Sequence, residues 1–312
     1  MASERLFRRH PGNPLLEPAR WPYTVNAVMN AGATLVDGHT VLLCRVEDRR
    51  GFSHLSVARS ADGVTAWDIG DAPALAPSPD HPEEEWGLED PRISRVDELD
   101  CWVVAYTAFG PGGPALSLAT TTDFARFDRL GMVMSPENKN GALFPRRIDG
   151  EFVLVHRPVS SHGGAGAWIS RSADLASWSA PVPVLPARGG GWWDSARTGI
   201  GAPPIETPEG WLIVYHGVRQ TVAGALYRMG AALLDLDDPS RVVRRSDEWL
   251  LSPATEYERV GDVPGVIFPC GLVHVPGSDE LRLYYGAADT TVAMATASLS
   301  DVLAYLRTCT ST

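Results

Sequence analysis

Five short apolar runs recur along the chain, each followed after a loop by a second strand-like segment, and together they predict an all-β fold, a five-bladed β-propeller. The runs are VLLCRV from Val41, CWVVAYTAF from Cys101, EFVLVHRP from Glu151, GWLIVYHGV from Gly210 and ELRLYYGAAD from Glu280. Each is too short and too rich in Val and Tyr for a helix, and each is bounded by Gly, Pro, Asp or Ser. A third observation is a repeated turn. Ser60 and Asp62 precede Trp67, Thr121 and Asp123 precede Phe127, and Ser172 and Asp174 precede Trp178. A Ser or Thr with an Asp two residues on can hydrogen-bond the backbone of its own loop, which leaves the aromatic ring to pack between layers.

The second strands begin at His54, Ala115, Ala167, Tyr227 and Val292. Five repeats in 312 residues average about 62 each, room for a four-stranded unit and its loops. The expected organisation is a single catalytic domain over residues 1–312. Its N-terminal section, with NPLLEP and WPYTVNAVMNAGA, supplies a strand that closes the ring, and residues 299–307 read as a short helix or a closing strand. In such a ring the five runs are the inner strands, and residues at their ends converge on one central depression.

The net charge is -11, and of the 27 Lys and Arg residues only Lys139 is a lysine, leaving 26 arginines. An acidic balance without a basic stripe excludes a general nucleic-acid binder. No apolar run approaches the ~20 residues of a membrane span. The start, MASERLFRRHPG, is basic with no apolar segment behind it, so no secretory signal is read there. Cys44, Cys101, Cys270 and Cys309 are scattered, with no CxxC or Cys/His metal spacing. A reducing cytoplasm is the expected compartment. Homo-oligomerisation is compatible with the sequence and is not specified by it.

Polar residues cluster at the predicted ring mouth. EEEWGLEDPRI, from Glu83, puts Glu89, Asp90 and Arg92 beside Pro91. That proline would stiffen a turn and fix the direction of Asp90, although Asp90 and Arg92 read equally well as a structural ion pair. Arg45 follows VLLC directly and opens the charged run RVEDRRG, otherwise a solvated loop. Lys139 lies in SPENKNGALFP between Asn138 and Asn140, two of only five asparagines. A lone lysine among arginines suits a site that wants a compact ammonium. His156 and Arg157, Tyr215 and His216, and Asp289 end the third, fourth and fifth runs. Lys139, Arg157 and His216 would form a cationic pocket for a small anion, most simply phosphate. No phosphate-cradling Gly-rich loop, nucleophile elbow or clustered metal ligands are present.

The ordered series NPLLEP, VMNAGA, LLCRVEDRRGFSHLSVARSADG, WGLEDPRI, NKNGALFP, HRP, WLIVYHGV, LLDLDDP and YYGAADT resembles glycoside hydrolase family 130, the β-mannoside phosphorylases and a minority of β-mannosidases. The resemblance implies a five-bladed propeller and inverting phosphorolysis, with inorganic phosphate as co-substrate and no cofactor or metal. Phosphate attacks the anomeric carbon of a β-mannooligosaccharide, giving α-mannose 1-phosphate. The resemblance implies Asp90 as proton donor, acting through the 3-hydroxyl of the sugar. It implies Asn30, Arg45 and Asp289 at the mannose, with Glu47 and Asp48 nearby. Lys139, Arg157 and His216 fall at the phosphate, with Asn140 and Tyr227 as neighbours. Ala31 stands where the family commonly has proline, and Asn140 follows Lys139 where an acidic residue is frequent.

An inverting glycosidase needs an acid and a water-activating base about 6.5–9.5 Å apart. Phosphate is already an anionic nucleophile and needs cations instead. The alternative is a β-mannosidase of the same fold, with Glu206, Glu256 or Glu258 as base. A third reading is a non-catalytic glycan-binding propeller.

Overall fold

The computed structural model describes residues 6–159 and 165–310. Its strands are β1 (Arg8–Arg9), β2 (Ala27–Val36), β3 (His39–Glu47), β4 (Ser53–Ser60), β5 (Asp68–Ile69), β6 (Gly87–Val96), β7 (Cys101–Gly110), β8 (Gly113–Thr121), β9 (Asp128–Met134), β10 (Asn138–Leu143), β11 (Phe152–Pro158), β12 (Ala167–Ser172), β13 (Val182–Leu185), β14 (Arg197–Ile200), β15 (Ile205–Thr207), β16 (Gly210–Thr221), β17 (Gly224–Leu234), β18 (Val242–Arg245), β19 (Ile267–His274), β20 (Glu280–Ala287) and β21 (Thr291–Ser298). The α-helices are α1 (Glu256–Arg259) and α2 (Leu299–Thr308). The chain is therefore all-β, and residues 299–308 form a helix rather than a strand. Ser298 caps that helix by accepting from the Asp301 amide at 3.0 Å, and Val302, Leu303 and Leu306 anchor it to the core.

Four sheets form. One runs β2-β3-β4-β6-β7-β8-β9, with β5 on β4. The others run β10-β11-β12-β13, β14-β16-β17-β18 with β15 beside β16, and β1-β21-β20-β19. Within the first, β4 and β6 meet only through one parallel pair, Ser53↔Gly87, while the other pairings are antiparallel ladders. The N-terminal β1 pairs with β21 through Arg8↔Thr296.

The apolar runs occupy β3, β7, β11, β16 and β20, and each is the second strand of its group, not the innermost. The first strands are β2, β6, β10, β14 and β19. EDPR, expected as a turn, lies inside β6, and NKNG lies inside β10. These strands escape an apolar-run search because they are interrupted by bulges and carry polar residues toward a cavity. The predicted turns do form. Asp62 Oδ1 accepts from the Val64 and Thr65 amides at 2.8 and 2.7 Å. Thr121 Oγ1 accepts from Phe124 N at 2.9 Å, and Ser172 Oγ from Leu175 N at 2.9 Å.

Apolar layers fill the space between successive groups of strands. Leu143 and Phe152 pack with Val103 and Leu116, Trp211 and Ile213 with Val153 and Phe144, Tyr285 and Leu283 with Met229 and Val214, and Met294 and Tyr284 with Leu42 and Cys44. A further layer, with Leu43, Val57, Ile93 and Tyr106, lies between the two halves of the eight-stranded sheet.

The first strands also touch one another. A Cβ on Gly32 of β2 would sit 2.7 Å from the Pro91 carbonyl of β6, and one on Gly271 of β19 would sit 2.6 Å from Ala33 Cβ of β2. Ser94 Oγ of β6 donates to the Leu143 carbonyl of β10 at 2.6 Å. Gly199 of β14 faces Asn140 of β10, and Gly201 just beyond β14 abuts Pro269 of β19. The fully buried Arg92 crosses from β6 to the far side. Its guanidinium donates to the Gly201 and Ile200 carbonyls and to its own strand's Asp90 carbonyl.

Candidate active site

A cavity of about 330 Å³ opens where the first strands begin and the second strands end. All nine residues expected at the site line it: Asn30, Arg45, Asp90, Lys139, Asn140, Arg157, His216, Tyr227 and Asp289. They come from β2, β3, β6, β10, β11, β16, β17 and the β20–β21 turn.

A shared backbone device aims several of them. Asn30, Asp90 and Asn140 each sit at a break in register between the first strand and its neighbour, and each has a left-handed φ, 47°, 51° and 53°. A bulge swings one extra residue out of the ladder, and Asn and Asp tolerate this conformation better than other non-glycine residues. Asp289 reaches the cavity from a tight turn with φ 48°.

Asp90 Oδ1 accepts from Asn30 Nδ2 at 2.8 Å and lies 3.2 Å from Arg45 Nη1. Arg92 bonds only to the Asp90 backbone in that residue, so the expected side-chain ion pair between them is replaced by the pair with Arg45. Burial pushes the Asp90 carboxyl up, but Arg45, Arg92, the Asn30 hydrogen bond and Lys139 outweigh it and hold it below the usual carboxylate range. Asp289 goes the other way. Burial, and then the neighbouring Asp90 charge, raise it to about 6 against the opposing pull of Arg45. Arg45 is kept protonated against burial by Glu89, Asp90 and Asp289. Glu47 is 3.6 Å from Arg45, whereas Asp48 pairs with the exposed Arg50 outside the cavity.

Elsewhere in the lining, Arg157 Nε donates to Asn140 Oδ1 at 2.9 Å. Burial and the nearby Arg197 lower Arg157 to about 10, which leaves it charged near neutrality. His216 does not complete a cationic triad. Burial, followed by Arg157, Arg92 and Arg197, drives its pKa well below the usual value, so the ring is neutral. Its ring lies tilted against Phe268, with centroids 4.7 Å apart, and leaves Nδ1 buried without a partner. The third cation is Arg197, which begins β14 and lines the cavity. No apolar run marks that four-residue strand, and only its place at the start of a first strand, like Lys139, could have signalled it. Glu89 also lines the cavity, 3.0 Å from Arg45 and 3.8 Å from Lys139.

The other candidates lie elsewhere. His156 is buried between Asn138 and Ser170, and Tyr215 between Asp194 and Arg245. Glu206 is bound by Arg146 at 2.7 Å, Glu256 is exposed on α1, and the buried Glu258 pairs with Arg9 and Tyr285. None of the three lines the cavity, so the structure brings no expected hydrolytic base to Asp90. Among the described residues no group of three or more His, Cys, Asp or Glu side chains is arranged to hold a metal ion.

A carboxylate, a lysine and arginines lining one cavity of about 330 Å³ on an all-β scaffold suit a glycoside-active enzyme with room for a small anion. The family model for glycoside hydrolase family 130, described as beta-1,4-mannooligosaccharide phosphorylase, matches residues 7–308. The chain belongs to that family. It is 36% identical over 309 residues to the beta-1,4-mannooligosaccharide phosphorylase of Ruminococcus albus, covering 96% of this chain and 90% of the relative. It is 35% identical over 307 residues to the 1,2-beta-oligomannan phosphorylase of a Thermoanaerobacter species, covering 95% and 98%. In three dimensions it is similar to the beta-1,2-mannobiose phosphorylase of Listeria innocua in complex with beta-1,2-mannobiose, with TM-score 0.87, 30% identity, and 96% and 99% of the two chains covered.

Proposed function

We propose that the chain is an inverting β-mannoside phosphorylase that cleaves β-1,2- or β-1,4-mannooligosaccharides with inorganic phosphate to give α-mannose 1-phosphate. The observation that carries this reading is that one cavity gathers Asp90 with Asn30, Arg45 and Asp289 and also Lys139, Arg157 and Arg197. Asp90 serves as proton donor, through the sugar 3-hydroxyl. Asn30, Arg45 and Asp289 hold the mannose, and Tyr227 flanks it.

Lys139, Arg157 and Arg197 hold phosphate, offsetting its repulsion by Asp90. Asn140 orients Arg157. His216 adds a neutral hydrogen-bonding ring, which can donate to phosphate without a charge. Phosphate is the co-substrate, and no cofactor enters the scheme. The proton cycle needs Asp90 protonated at the moment of cleavage. A bound phosphate dianion next to it raises the proton affinity of its carboxyl, against the cations that depress it in the empty site.

The fold reading is a single-domain five-bladed propeller. Five apolar layers and a continuous series of contacts, β2 to β6, β10, β14, β19 and back to β2, support it. On that reading the eight-stranded sheet is two blades touching at Ser53 and Gly87. A cytoplasmic location accords with four buried, unpaired cysteines.

Synthesis tests the proposal. With α-mannose 1-phosphate as donor and a panel of mannose, glucose and N-acetylglucosamine acceptors, the enzyme should release phosphate and form β-mannosides of one linkage. Absence of phosphate release with every acceptor contradicts it.

A further inference from the structure

We propose that Glu89 is a positioning residue that ties the sugar side of the cavity to its phosphate side. The inference rests on the phosphorolytic reading of the site and adds a device for coordinating its two halves.

The two oxygens of the Glu89 carboxylate face different cations. Oε1 lies 3.0 Å from Arg45 Nη2 and accepts its hydrogen bond, while Oε2 lies 3.8 Å from Lys139 Nζ. Arg45 is shared further. Its Nε donates to Ser53 Oγ at 2.9 Å and its Nη1 reaches Asp90 Oδ1 at 3.2 Å. One carboxylate, next in sequence to the proposed acid, thus sets where a sugar-side arginine and a phosphate-side lysine both rest.

The two bonds are unequal. The arginine contact is a short charge-assisted hydrogen bond. At 3.8 Å the lysine contact is an ion pair without a hydrogen bond, held by charge alone. An arriving phosphate therefore competes with Glu89 for Lys139 and wins it at small cost. Glu89 is then left to Arg45 alone, which draws that guanidinium more firmly into place beside Asp90. Filling the phosphate side in this way completes the sugar side, because Glu89 links the two.

The test compares Glu89→Gln, which keeps the shape and removes the charge, with Glu89→Asp, which keeps the charge and withdraws it by one methylene. Inorganic phosphate binding is measured by calorimetry and β-mannoside phosphorolysis by kinetics on the full chain. Glu89→Gln should bind phosphate about threefold more tightly, because a competing anion is gone. Its kcat should fall by about tenfold or more, because Arg45 loses the charged partner of its Nη2 and is held less firmly beside Asp90. Glu89→Asp should keep phosphate affinity within about twofold of wild type and recover part of the lost kcat.

A merely structural role would move both constants in parallel toward weaker binding and slower turnover. That parallel loss, or an unchanged kcat in Glu89→Gln, overturns the inference. If the glutamine variant fails to fold, Glu89→Asp carries the test alone. A lowered kcat at constant phosphate affinity supports the link, and a matching loss of affinity overturns it. Wild-type protein that neither binds phosphate nor phosphorolyses a β-mannoside contradicts the proposed function itself. Intact wild-type phosphorolysis that Glu89→Gln leaves unaltered contradicts only the role of Glu89.

Discussion

Asp90 and Asp289 line the same cavity and are pushed in opposite directions, Asp90 below its ordinary range by nearby cations and Asp289 up to about 6 by burial and by Asp90 itself. Two carboxyls with separated proton affinities are the usual mark of divided roles. Replacing Asp90 with Asn should lower turnover by about 10³-fold with little change in sugar affinity, as measured by steady-state kinetics and calorimetry. Asp289 makes a prediction about stability. Its carboxyl binds a proton more tightly when folded than unfolded, so its favourable contribution is present below about pH 4 and is lost as pH rises through about 6. Asp289→Asn should therefore be more stable than wild type at pH 8, on the order of 2 kcal/mol, with the gap closing by pH 4. A gap in melting temperature that is constant across that range would contradict this. At this scale the sequence exposed most of the site, because Asp90, Lys139, Arg157 and His216 stand beside recognisable apolar runs or in distinctive clusters. The lowered proton affinity of His216 was not legible, since it depends first on burial and then on Arg157, Arg92 and Arg197 arriving from three other strands.

The first strands of three groups, β2, β6 and β10, aim a residue each. Asn30, Asp90 and Asn140 occupy equivalent bulges, and their left-handed backbones turn side chains into the cavity instead of into the ladder. Space for them is reserved by residues on other strands. A Cβ on Gly286 of β20 would lie 1.8 Å from Asn30 Oδ1. Gly286→Ala should thus displace Asn30, break its hydrogen bond to Asp90 and reduce kcat/KM by about 10²-fold, while costing roughly 1–3 kcal/mol in the denaturant midpoint. Activity within a factor of two of wild type would contradict this placement. These strands were invisible to pattern reading for a physical reason. The second strands are buried on both faces and give continuous apolar runs, whereas β6 and β10 carry adjacent cavity-lining polar residues, Glu89–Asp90 and Lys139–Asn140, and break phase at the bulge. The Ser/Thr-x-Asp turns were legible because their hydrogen bonds are local, such as Asp62 to Val64 and Thr65.

For the whole molecule, the repeat spacing pointed to all-β groups of strands around a centre, and residues more than 250 positions apart, Asn30 and Asp289 among them, do line one cavity. The helical end of the chain and the single parallel contact between β4 and β6 could not be read from spacing, because tertiary packing decides both. What the architecture brings together in one cavity is Asp90 with Lys139, Arg157 and Arg197, while Glu206, Glu256 and Glu258 lie outside it. Under the proposed function, phosphate is a required reactant. The most direct measurement incubates the enzyme with β-1,2- and β-1,4-mannobiose, with and without inorganic phosphate, and follows both possible products. Formation of α-mannose 1-phosphate only when phosphate is present is the predicted result. Release of free mannose at an equal rate without phosphate would contradict the account.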